Sequence, residues 1–175
     1  MKRKIKFRGK RVDNGEWMYG SLIGNDVIVG DIVEFNDEWF NTEWWYKVTA
    51  ETVGQYTGLK DSTGKEIYEG DIIEYYDLET YCINPDCDAH LLGYGSRLRK
   101  KKAVVKFNEG IFGVCNDSND SLTPLSYCGI SKEMANDMKE DTYLATNGYG
   151  FYNPIVGVKV IGNIFESKYD SETAK

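Results

Sequence analysis

From Val53 to Glu74 the chain reads Val-Gly-Gln-Tyr-Thr-Gly-Leu-Lys-Asp-Ser-Thr-Gly-Lys-Glu-Ile-Tyr-Glu-Gly-Asp-Ile-Ile-Glu, β-prone residues interrupted twice by turn residues. The first interruption, Asp61 to Gly64, suits a short hairpin loop. An Asp side chain can bond the backbone two residues on, and Gly64 can take positive φ. The second, Glu69-Gly70, leads into the apolar run Asp71 to Tyr76. Three strands joined by two tight connections are therefore predicted. A segment of this kind must lie inside an antiparallel sheet.

The flanking sequence extends the pattern. Lys4-Ile5-Lys6-Phe7-Arg8 alternates charged and apolar residues, which predicts a strand with Ile5 and Phe7 on one face. Asn14-Gly15 is a hairpin signal before a return strand from Trp17 to Leu22. Gly24-Asn25-Asp26 turns into Val27-Ile28-Val29, and residues 31–46 read as hairpins. Ala103 to Phe107 and Gly110 to Val114 form a further hairpin, joined by Asn108-Glu109, and residues 156–166 a last long strand. Ser131 to Glu140, with Met134 and Met138 four apart, is the one helix candidate. The fold class expected is mainly β with a minor α part: a small SH3-like or barrel-like antiparallel core. A single domain over 1–166 is expected, with an insertion at 77–102, a helix-bearing excursion at 115–150 and a flexible tail at 167–175. Gly30-Asp31-Ile32-Val33-Glu34-Phe35 and Gly70-Asp71-Ile72-Ile73-Glu74-Tyr75 match forty residues apart. Two copies are too few for a repeat array, and a turn leading into a strand would give the same pattern.

These residues also carry a resemblance. Ile5-Lys6-Phe7-Arg8-Gly9 with Trp17-Met18-Tyr19-Gly20, Glu51 to Asp61 with Ile67 to Ile72, and Val160 to Glu166 occur in this order. Together they resemble the YopX family. The resemblance implies a barrel-like β core and a phage or prophage setting. It brings no catalytic motif that could be carried over.

Charge and composition narrow the function. With 28 acidic and 21 basic residues the formal charge is −7, which works against a generic grip on phosphate backbones. No apolar run approaches the roughly 20 residues needed to span a bilayer, and the basic N-terminus has no apolar core behind it. A cytoplasmic protein of a bacterial host, with no membrane partner, is expected. The 4 cysteines should then be thiols.

Four groups of residues are candidates for chemistry or binding. Cys82, Cys87 and His90 have zinc-ligand side chains, but their C-x4-C-x2-H spacing lacks a paired knuckle, and cysteines buried as small hydrophobes with an exposed His are the commoner outcome. Basic residues cluster at Lys2 to Arg11 and again at Arg97, Arg99, Lys100, Lys101 and Lys102. On one face they would make a nucleic-acid strip. Alternatively, the first cluster is the solvated face of an edge strand whose lysines discourage aggregation. The run Trp39-Phe40-Asn41-Thr42-Glu43-Trp44-Trp45-Tyr46 has more aromatic surface than a small core absorbs, so Trp39, Trp44 and Trp45 are candidate partner contacts. Finally, no acid pair has a hydrolase spacing, His90 is the only histidine, and neither a nucleophile elbow nor a phosphate-binding Gly-rich loop is present. The expectation is a non-catalytic protein without cofactor or metal, self-associating or binding a protein partner. A nucleic-acid-binding module of phage replication or regulation is the alternative, and a metal-dependent enzyme the third reading.

Overall fold

The computed structural model describes residues 4–82, 94–116, 119–125, 128 and 158–166. Its strands, in chain order, are β1 (Phe7–Lys10), β2 (Trp17–Ile23), β3 (Val27–Val29), β4 (Ile32–Phe35), β5 (Phe40–Thr42), β6 (Trp45–Lys47), β7 (Gly54–Lys60), β8 (Glu66–Tyr68), β9 (Asp71–Cys82), β10 (Tyr94–Asn108), β11 (Ile111–Asn116), β12 (Asn119–Pro124) and β13 (Lys159–Asn163). They form sheets ordered β6-β3-β2-β1-β7-β8 and β12-β11-β10-β9-β13, with β4-β5 as a separate pair. Every pairing is antiparallel. The one complete helical element among the described residues is a 3-10 turn at Ala50–Thr52, and none of their helices is long and apolar enough to cross a membrane.

The first sheet curls into a half-barrel. Strand β2 pairs with β1 through Trp17 to Gly20, then with β3 through Ser21 to Ile23. The far side of β6 returns to β1: Arg11 bridges Val48, Thr49 N–H donates to Lys10 O at 2.8 Å, and Val12 N–H to Lys47 O at 3.1 Å. The mainly β, barrel-like expectation therefore holds. Strand β1 is not an edge, however. It is flanked by β2 and β7 and begins at Phe7, and Ile5 ahead of it is 65% exposed.

The second sheet carries the apolar core. Ile67, Ile73, Tyr75, Val105, Val114, Leu125, Cys128, Val158 and Val160 form one buried cluster. Residues 77–82 and 94–102, expected as an insertion without regular pattern, continue β9 and β10 in register from Ile72↔Val104 out to Cys82↔Tyr94. Their alternation is of opposite charges instead of apolar residues: Arg97 stands opposite Glu79, Arg99 opposite Asp77 and Lys102 opposite Glu74. The expected excursion at 115–150 likewise begins inside the sheet, since β11 and β12 pair through residues 113–124. The β10–β11 loop is Glu109-Gly110, at φ 50 and 84, one residue later than expected; positive φ at both positions matches the right-handed strand twist. The β1–β2 connection, by contrast, is longer than a two-residue turn. Arg11 N–H reaches Glu16 O at 2.9 Å and Gly15 takes φ 72. The last strand is shorter than expected, and the helix candidate at 131–140 lies outside the described residues.

Asp61 ties the closing strand to the middle of the chain. One carboxylate oxygen accepts from Thr63 N (2.8 Å), Thr63 Oγ1 (2.6 Å) and Lys65 N (2.9 Å), and the other from Val160 N (3.0 Å). Gly64 sits at φ 88, as the turn requires. Burial pushes the Asp61 carboxyl up, but these bonds together outweigh it and hold the group below the usual carboxylate range. For Glu66, burial also acts upward and is outweighed by hydrogen bonds from Lys6 (2.7 Å) and Tyr68 (2.6 Å). Both folded values are therefore depressed. Their stabilisation is complete above the unfolded values, about 3.9 for Asp and 4.3 for Glu, and is lost as pH falls through the folded values. The melting midpoint should hold from pH 7 to 5 and drop below about pH 4. The gap between wild type and Asp61→Asn should narrow over the same drop; a gap constant down to pH 3 contradicts this assignment.

Candidate functional site

Strands β3 and β6 do not stop at the half-barrel. Gly30 N–H donates to Trp44 O at 3.0 Å and Glu43 N–H to Asp31 O at 2.9 Å, which carries the ladder outward into β4 and β5. At this joint the Trp44 indole lies on Gly30, where a Cβ would meet the ring at 2.7 Å. Glycine is thus what lets the ring close over the strand. Beyond the joint, residues 31–43 form an arm. At its tip Asn36 Oδ1 accepts from Glu38 N (2.8 Å) and Trp39 N (2.9 Å), which fixes the turn.

The arm exposes apolar residues on both faces. Ile32 is 58% exposed, Val33 61% and Phe35 73%, and Trp39 and Phe40 are also exposed. Apolar residues at successive strand positions ordinarily mean cover on both sides. Here nothing among the described residues provides it. A break in register between Ile32 and Glu34 adds twist, and Asn41 Nδ2 donates to Glu34 Oε2 at 3.2 Å.

Two hollows flank the foot of the arm. One, of about 380 Å³, lies between Phe40 and Trp45 over Ile23 and Val27; Trp45 is 67% exposed. Among the described residues no titratable side chain lines it, and Asn41 and Thr42 stand beside its apolar residues. The other, of about 350 Å³, has Lys4, Ile5, Lys6 and Tyr19 along one wall and Asp31, Glu43 and Trp44 along the other.

The three tryptophans singled out in the sequence thus divide. Trp39 and Trp45 present surface, whereas Trp44 is half-buried, packed on Gly30 and 5.8 Å from Tyr46. Ile32, Val33, Phe35 and Ile23 were not anticipated as surface. The signal available was an acidic hairpin with apolar residues at successive positions.

The basic residues have structural partners. Arg8 is buried with its guanidinium 4.7 Å from the Trp17 ring and 4.8 Å from the Tyr68 ring, donating to Asp71 Oδ1 at 2.6 Å. Asp71 also accepts from Tyr68 N at 2.8 Å and from Asn163 Nδ2 at 3.4 Å. Burial, then the hydrogen bond to Glu66, pushes the Tyr68 hydroxyl up, so it stays protonated and donates. Lys10 reaches Phe165 O at 2.7 Å, and Arg11 pairs with Asp13. Of the first cluster's described members, Lys6, Arg8, Lys10 and Arg11 are built into the fold and Lys4 is exposed, and β1 is not an edge strand. In the second, Lys100 binds Glu74 at 2.7 Å, Lys101 and Lys102 follow on β10, and Arg97 and Arg99 stand opposite acids. The structure does not bring the two clusters together by any described contact.

For the zinc candidates, Cys82 ends β9 and Cys87 and His90 lie outside the described residues. Cys128 is a buried thiol in the apolar core, its Sγ 3.5 Å from Pro124 O. Among the described residues no three His, Cys, Asp or Glu side chains converge as metal ligands.

No curated protein and no solved structure matches the chain. A family model does: that described as YopX protein matches residues 6–168, from the start of β1 through the closing strand and beyond it. The order of the three sequence blocks, the half-barrel they build and the extent of this match lead to one conclusion: the chain belongs to the YopX family.

Proposed function

We propose that this YopX-family protein is a non-catalytic assembly module of phage or prophage origin, acting in the bacterial cytoplasm, which self-associates through the arm formed by residues 31–43 and Trp45 at its foot. The observation that supports this reading is the exposure of Ile32, Val33, Phe35 and Phe40 on the arm and of Trp45 at its foot, Phe40 and Trp45 lining one hollow. Several large apolar side chains exposed on one short element are characteristic of an interaction surface, and aromatic side chains supply most of the energy of such contacts. Engagement of Arg8, Lys10, Arg11 and Lys100 within the fold favours a protein partner over nucleic acid.

Phe35→Ser with Trp45→Ser tests the reading. Both side chains are exposed, so the double variant should melt within a few degrees of wild type. In sedimentation velocity it should run as a monomer where wild type is associated, with affinity weakened at least tenfold. An associated double variant of unchanged size would remove the arm from the assembly surface.

A further inference from the structure

The arm and the outer face of the second sheet carry opposite charges that neither neutralises for itself. Between residues 31 and 43 the arm has five carboxylates (Asp31, Glu34, Asp37, Glu38, Glu43), all exposed, and no lysine or arginine. None of the five is in an ion pair with a described residue. A surface that covers the arm must therefore meet its apolar side chains and supply positive charge.

The second sheet presents such a surface. Side chains alternate along a strand, and residues opposite each other on adjacent strands share a face. The buried Val105 marks the core side of β10, which puts Lys102, Val104 and Lys106 on the other side. Lys102 stands opposite Glu74 of β9, and Glu74 opposite Lys159 of β13. Along β13 the exposed Lys159 and Ile161 (42%) alternate with the buried Val158 and Val160. The face thus sets Val104 between Lys102 and Lys106, with Lys159 and Ile161 along the β13 edge. Glu74, the one carboxylate at these positions, is bound by Lys100 at 2.7 Å. Lys102, Lys106 and Lys159 are exposed and make no ion pair with a described residue, so three positive charges face outward unmatched.

We propose that the acidic arm of one copy lies across the Lys102–Lys106–Lys159 face of a second copy. This rests on the self-association reading above and names its acceptor. Two arms laid together would bring like charges into contact, and so would two lysine faces, which leaves the unlike pair as the favoured one. A nucleic acid is the other polyanion such lysines could hold. The chain's charge of −7 works against it, whereas the arm brings apolar side chains to Val104 and Ile161. The contact joins different surfaces of the same chain, so it repeats into a ring where the rotation closes and into a filament where it does not.

Exchanging the charges tests this. Asp37→Lys with Glu38→Lys reverses the tip of the arm, and Lys102→Glu with Lys106→Glu reverses the face. All four side chains are exposed, and Lys106→Glu alone, away from Glu74, replaces the second pair if the melting midpoint falls. In sedimentation velocity each reversed protein should associate at least tenfold more weakly than wild type, because like charges now meet. A chain carrying both reversals should return to within about threefold of wild type, which two independent losses would not do. A reversed protein of either kind that associates like wild type overturns the contact, and Phe35→Ser with Trp45→Ser then reports on arm-driven assembly separately. If the face-reversed protein associates normally but has lost a single-stranded DNA oligonucleotide that wild type holds, the lysines serve nucleic acid instead. Two weakened proteins with no recovery in the combined chain also overturn the contact. Wild type that stays a single chain at every concentration overturns both readings.

Discussion

Asp71→Ala should cost about 3–5 kcal/mol, the usual penalty for removing one partner of a buried ion pair. The size follows from what is left behind. Arg8, 5% exposed and pressed between the Trp17 and Tyr68 rings, would keep a buried positive charge whose strong acceptor is gone. Its Nε already has no acceptor among the described residues, and the weaker contact to Glu69 O at 3.3 Å would have to serve alone. Tyr68 N–H and Asn163 would each lose an acceptor as well. Against a total stability of roughly 5–15 kcal/mol, this is enough to shift much of the protein toward the unfolded state. Urea titration of the variant measures the loss. Arg8→Met in the Asp71→Ala background should recover part of it, because the stranded charge is removed. A loss under 1 kcal/mol, or a double variant worse by the full effect of Arg8→Met alone, would show the pair uncoupled.

Gly20→Ala should destabilise the half-barrel by about 3 kcal/mol or more, at or beyond the usual range for overpacking. A Cβ at this position would lie 2.0 Å from Val29 O and 2.9 Å from Val29 C. These are backbone atoms, so no rotamer change relieves the overlap, and β2 would have to move off β3. Gly20 is where β2 passes from β1 to β3: it faces Phe7, and the next residue, Ser21, faces Val29. Gly15→Ala on the same hairpin is an informative contrast. Nothing lies within 4 Å of its Cβ, and the cost there comes only from φ 72. A Gly20→Ala protein that melts with the Gly15→Ala protein would contradict the close approach.

What could be read from the sequence followed locality. The Asp61–Gly64 turn works through bonds within four residues, and its signal is correspondingly clear. That Asp61 also holds Val160 depends on a partner 99 residues away, which no turn pattern encodes. The two Gly-Asp-apolar segments make the same point more sharply. Ile72, Ile73 and Tyr75 are buried at 4%, 0% and 3%, while the matching Ile32, Val33 and Phe35 lie open on the arm. Local pattern predicts a strand in both places, correctly. Whether a strand is covered depends on its neighbours: Asp71 meets Arg8 in the core, whereas Asp31 sits at the rim of a groove. The β9–β10 ribbon was missed for a related reason. Its regularity lies across the strands, in pairs such as Arg97 with Glu79, and is invisible along either strand alone.

The central claim is that exposed aromatic surface on the arm drives assembly, and the most direct measurement is the native mass of the wild-type protein across a concentration series. The account predicts multiples of the 20.0 kDa chain that dissociate on dilution. The same series with Phe35→Ser and Trp45→Ser should stay at the single-chain mass. A wild-type protein that remains a single chain at every concentration, with Phe35 and Trp45 intact, would contradict it.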